Sequence, residues 1–171
     1  MLVTSEHMGL SVEVWPVAAD EVGIWLLSGD DAWRSPRIPA DSEPHFETEL
    51  LLAGHEMPTP ALLHSTSWRP DGPNVVLTYV AVIPVVEVAR AQWPSARPVT
   101  AGLLPTVGNP PPHGPADVPV PRYIDVLFHG LRHLRFLIDT DASARTALTG
   151  HWATWLDEMQ PALAGMYETT P

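Results

Sequence analysis

Residues 61–83 read ALLHSTSWRPDGPNVVLTYVAVI, two runs rich in β-formers joined by Arg-Pro-Asp-Gly-Pro-Asn. Glycine and proline at the centre of that hexapeptide favour a tight reversal, so the stretch predicts a β-hairpin. Alternation along its first strand sends His64, Thr66 and Trp68 to one side and Ser65, Ser67 and Arg69 to the other. Working outward, residues 11–19 and 22–27 are rich in Val, Ile and Trp, and Asp20-Glu21 between them predicts a second hairpin. Pro16 has no N–H to give to a ladder, which predicts an edge or bulged strand. A Gly-, Asp-, Ser- and Pro-rich loop follows over 28–43. Ser42 offers an N-cap, and Phe46, Leu50 and Ala53 repeat at helical spacing up to Gly54. This predicts a helix over 43–53 whose apolar face, broadened by Leu51 and Leu52, packs on a sheet.

Beyond Pro84 the run VVEVARAQW fits a strand or a helix. Residues 94–121 contain nine prolines and predict a long loop or linker, with Leu103, Leu104 and Val107 as residues that a structured wrap would bury. Ile124, Leu127, Phe128, Leu131, Leu134 and Ile138 then form one stripe of an amphipathic helix. Asp139 or Asp141 can cap a further helix through Ala147, Gly150 is a break, and Trp152, Trp155 and Leu156 mark another apolar face. Pro161 predicts the start of a last turn or two. The resulting expectation is an α+β chain: a small mixed sheet with a short helix over 1–93, a proline-rich loop over 94–121, and helices over 122–171 packed on the core as one domain.

The chain has 171 residues, 45% of them hydrophobic and seven of them Trp, enough for a real core. Its formal net charge is −11, and all nine cationic residues are Arg. Such a field repels phosphate backbones and anionic lipid, which argues against nucleic-acid and membrane partners and leaves a small-molecule ligand or a protein partner. Absence of cysteine removes thiolate chemistry and Cys-based metal sites. The first ten residues, MLVTSEHMGL, lack a basic segment followed by a long apolar run, so a cytoplasmic location is expected.

Strand, strand, Trp33-Arg34-Ser35-Pro36, helix, strand, strand resembles the Nudix family, over roughly residues 11–88. The resemblance implies a mixed sheet and, from the family's Arg-Glu-x-x-Glu-Glu cluster, a helix that holds divalent cations against a diphosphate. Counted back from Gly54, those positions are Glu47, Thr48, Leu51 and Leu52 here. Arg37 and Ile38 replace the glycines after the Trp-x-x-Pro. The reading is therefore a degenerate Nudix-like domain that binds a small ligand or protein partner without magnesium-dependent hydrolysis, and no cofactor is expected.

Three groups of residues are candidates for chemistry. Trp33, His64, Ser65, Ser67 and Arg69 are the ligand-binding candidates, Arg69 as a bidentate partner for a carboxylate or phosphate. Asp125, His129 and His133 recur every fourth residue, on a helix face opposite the apolar stripe. Such a trio can share a divalent metal and support an alternative hydrolase; as a solvated face, Asp125 would pair with His129 and Arg122. Glu43 and Glu47 share a face of the earlier helix and can hold a cation, or simply complement its dipole. Trp152 and Trp155 can anchor the core or a homodimer through the C-terminal helices. A purely structural or interaction protein is the remaining alternative.

Overall fold

The structure is a computed structural model, which describes residues 8–84, 93–99 and 123–163. It is an α+β fold around a mixed sheet. Strands β1 (Gly9–Ala19), β2 (Ile24–Leu26), β3 (Trp33–Arg34), β4 (Leu62–Asp71), β5 (Asn74–Val82) and β6 (Arg97–Val99) are joined by α1 (Pro44–Gly54). Three helices follow: α2 (Tyr123–Thr140), α3 (Ala142–Ala147) and α4 (His151–Asp157). The sheet order is β4-β5-β1-β2-β6, with β3 also pairing with β1. Only β1 and β5 among these pairs run parallel, in register from Gly9↔Asn74 to Val17↔Val82.

The β4–β5 hairpin turns through Gly72 and Pro73, and Gly72 takes φ +58°, the conformation glycine tolerates at the first position of a two-residue hairpin loop. Between β1 and β2 the Asp20 carboxylate accepts hydrogen bonds from the amides of Val22 (2.8 Å) and Gly23 (3.1 Å), which closes the expected turn.

Pro16 lies inside the central strand rather than on an edge. Its carbonyl accepts from Leu27 N, so its missing N–H would point to the same side of β1. There β3 has stopped pairing at Val14 and β2 does not begin until Val17, so no ladder bond is lost. The expected loop over 94–121 likewise begins later, because Arg97–Val99 pairs with β2 as the far edge of the sheet. The run 85–92, the remainder of the proline-rich segment with Leu103, Leu104 and Val107, Arg122 and residues 164–171 lie outside the described residues. Pro161 does not open a helical turn; Ala162 N instead donates to the Arg132 carbonyl.

One face of the sheet buries Val12, Val14, Ala18, Tyr79 and Ala81 with Leu52, Met57 and Ile38. On this face α1 is rotated from the expected orientation. Thr48 and Leu52 point inward, whereas Phe46, Leu50 and Ala53 face out. Glu43, not Ser42, caps the helix, its carboxylate accepting from Phe46 N at 2.8 Å.

The opposite face packs Trp15, Val17, Val80 and Val82 against Leu127, Phe128, Leu131 and Leu134 of α2, with Leu148, Trp152 and Leu156 behind. Residues 127–134 of α2 are all buried. The sheet covers one side, and the tail crosses another, where Arg132 Nε donates to the Gln160 carbonyl at 2.8 Å. Trp152 is core, and Trp155 Nε1 donates to the Asp20 carbonyl, so neither stands out as an anchor for a second copy. No helix of the described residues is long and apolar enough to cross a membrane.

Candidate functional site

Glu13 sits between Val12 and Val14 in a largely apolar strand, and only 1% of it is exposed. A carboxylate so buried requires partners. Its Oε2 accepts from Arg34 Nη2 (3.0 Å) and Arg69 Nη2 (2.6 Å). Oε1 accepts from Thr78 Oγ1 (2.7 Å) and from Arg69 Nη1. Four donors fill the lone-pair directions a carboxylate offers. Burial alone pushes the Glu13 pKa up, but hydrogen bonds from Arg69 and Thr78, the Arg69 charge and the Arg34 bond outweigh it, and the net shift is downward. Glu13 is thus held ionised and saturated, an arrangement suited to bracing rather than to proton transfer. Arg34 extends the cluster to Asp71 at 3.3 Å, linking β1, β3, β4, β5 and the hairpin turn.

Sequence reasoning missed Glu13, although a lone acid flanked by valines was the signal. It also placed Arg69 on the wrong side of the strand relative to His64. A β-bulge between Ser65 and Ser67 breaks the alternation, so His64, paired with Val80, and Arg69, paired with Val76, share the α2 face. Arg69 forms a bidentate pair, but with Glu13, so its fork is filled from within the chain.

Of the other candidates, Ser67 shares this face, whereas Trp33 and Ser65 do not. Trp33 lies on the α1 face, stacked on His55 with ring centroids 3.8 Å apart. Ser65 is exposed, and Ser67 is half-buried opposite Thr78. The five residues proposed from sequence therefore do not line one cavity. What the structure does open is a shallow cleft of about 240 Å³ at the C-terminal ends of β1 and β5, lined by Ala19, Val82, Ile83, Thr149, His151 and Trp152. Clefts at the carboxyl ends of parallel strands are common ligand sites in α/β proteins. No local pattern in the chain marks it, because it forms only where α4 meets the parallel pair.

His129 and His133 are 7% and 5% exposed, so they do not form a solvated helix face. The reason is the double covering of α2 described above. His64 and His133 rings lie 5.0 Å apart, and His133 Nδ1 is 3.1 Å from the Ala162 carbonyl, which fixes the proton on Nδ1. No group of three or more His, Cys, Asp or Glu among the described residues is placed to hold a metal ion, which covers both the Asp125, His129, His133 trio and the Glu43, Glu47 pair with its neighbours.

All three imidazoles are held below their usual pKa. For His64 the causes are burial and then the His133 charge, for His129 burial and then His133 and Arg132, and for His133 burial, opposed by its carbonyl bond. The folded chain therefore takes up these protons at lower pH than the unfolded chain does. Their contribution to stability is complete above the unfolded value of about 6.5 and is lost as pH falls through the folded values. Urea midpoints are expected to drop between about pH 7 and pH 5, less steeply in His64→Phe; a flat wild-type profile would contradict this account.

No protein-family model matches the chain, and no curated protein matches it in sequence.

Proposed function

We propose that this chain is a degenerate Nudix-like domain that binds a small ligand or a protein partner and does not carry out metal-dependent diphosphate hydrolysis. The observation that carries this reading is the inward face of α1. Thr48 and Leu52 stand at positions where the resemblance implies carboxylates, and both are buried against the sheet. Thr48 Oγ1 donates to the Pro44 carbonyl at 2.8 Å, so even its hydroxyl is used within the helix. A divalent cation at a diphosphate needs several oxygen ligands converging from this helix, and an aliphatic side chain offers none. Order of elements supports the Nudix-like part: β1, β2, β3 at the Trp-x-x-Pro, α1, then the β4–β5 hairpin.

The small-ligand form of this reading would use the shallow cleft beside Trp152, where an apolar group can lie against Val82 and Ile83 while Thr149 and His151 offer polar contacts. Incubation with nucleoside diphosphate derivatives and magnesium or manganese is expected to release no product above the protein-free control. Turnover that scales with protein concentration and is abolished by chelator would overturn the reading. Phe46, Leu50 and Trp68, exposed at 54%, 50% and 64%, favour a protein partner as the second form of the same reading.

A further inference from the structure

Helix α1 is spent on one side only. Thr48 and Leu52 close the core, yet Phe46 and Leu50, one turn apart on the opposite side, remain half exposed, and Ala53 continues their stripe. Acidic groups surround it. At 100° per residue Glu47 and Glu49 fall on either flank, Glu43 lies at the N-terminal end, and Glu56 follows the C-terminal end. Residues 40–57 hold five carboxylates, counting Asp41, and no Lys or Arg. The last turn of α1 likewise has no basic residue, so the negative end of its dipole is uncompensated by its own side chains.

An apolar ridge bordered by one sign of charge is complementary to a particular surface. We propose that the outward face of α1 docks a Lys- or Arg-bearing amphipathic helix of another protein. Apolar residues of that helix seat on Phe46 and Leu50, and its cations meet Glu47, Glu49 and Glu56. Two aromatic or aliphatic anchors make a small contact, so the complex is transient. The inference rests on the reading of this chain as a binding domain, and it deepens the protein-partner form of it.

The test is a titration of the full chain into a labelled peptide of about 18 residues, with Leu and Lys at amphipathic helical spacing. Expected are saturable binding with a dissociation constant of about 10–100 μM, and none with the same peptide carrying Glu for Lys. Phe46→Ser with Leu50→Ser is expected to weaken binding about tenfold or more at unchanged net charge, with the cooperative unfolding transition retained. Val22→Ser, which removes another exposed apolar residue, leaves it intact. No saturable binding, or equal binding by the double variant, would overturn the proposal, the latter because attraction to net charge alone would then suffice. So would self-association of the free chain that the double substitution abolishes, since a second copy would then be the occupant. The hydrolysis assay fails or succeeds separately: turnover with peptide binding removes the non-hydrolytic reading, and neither turnover nor peptide binding removes only this docking face.

Discussion

Replacing Glu13 with Ala is expected to lower stability by about 3 kcal/mol, because removal of one partner leaves a charge without its counter-ion in a low-dielectric site. Arg69 is 24% exposed and Arg34 46%, so both guanidinium groups retain some water, which places the loss at the lower end of the range for broken buried pairs. For a chain of this size that is roughly a 6–12 °C fall in Tm. Glu13→Leu combined with Arg69→Met is expected to recover much of it, since an apolar pair of similar volume carries no desolvation cost. Sign and window follow from the lowered pKa: the Glu13 contribution is present above the unfolded value of about 4.5 and disappears as pH falls through the folded value. Wild type and Glu13→Ala should therefore converge in strongly acidic solution. A loss below about 1 kcal/mol by urea denaturation at pH 7 would show that the pairs are exchanged for water at little cost.

Gly130→Ala is expected to destabilise by about 1–2 kcal/mol, although alanine is the better helix former by about 1 kcal/mol. Gly130 lies where α2 crosses the sheet, and a Cβ there would stand 2.6 Å from Val80 Cγ2, in a residue with no exposed surface and a stiff branched side chain. Thr66 Oγ1, at 3.6 Å, closes the other side. Gly130→Leu should cost about 3 kcal/mol or shift the helix off the strands. The diagnostic is coupling. Val80→Ala alone opens a cavity, but added to Gly130→Ala it makes room for the new methyl group, so the pair should lose at least about 1 kcal/mol less than the sum of the single variants. Additive losses would place the fault elsewhere.

How much of this was legible can be judged residue by residue. Both hairpins, the short helix and the Asp141 cap of α3 announce themselves through local chemistry: turn glycines, helical spacing, a capping carboxylate that accepts from Ala144 N at 2.7 Å. Facing was harder. Phe46, Leu50 and Ala53 satisfy the helical period as well as Thr48 and Leu52 do, and a polar threonine in the core is recognised only once its hydroxyl is seen bonded to Pro44. The bulge at Thr66 shifts every residue before it to the other parity, and no composition signal marks it. His133 reads as a surface residue because the tail that meets it at Ala162 is 29 residues away in the chain, beyond any local window. The Glu13 cluster joins four strands, and sequence supplies its members without their proximity.

The parallel pairing of β1 with β5 bears on how the chain reaches this state. Thr78 and Glu13, joined by a hydrogen bond, are 65 residues apart. β1 is central, largely apolar and made first, yet its long partner does not exist until residue 82 has been synthesised. The β4–β5 hairpin can form alone and quickly, whereas β1 must wait for loop closure across α1. Folding is thus expected to be slow for a chain of this length, with β1 the segment most exposed to mispairing while it waits. Buried carboxylate and arginines would then act as a register check, since slipping β1 by one residue puts Glu13 among the apolar side chains of the α1 face.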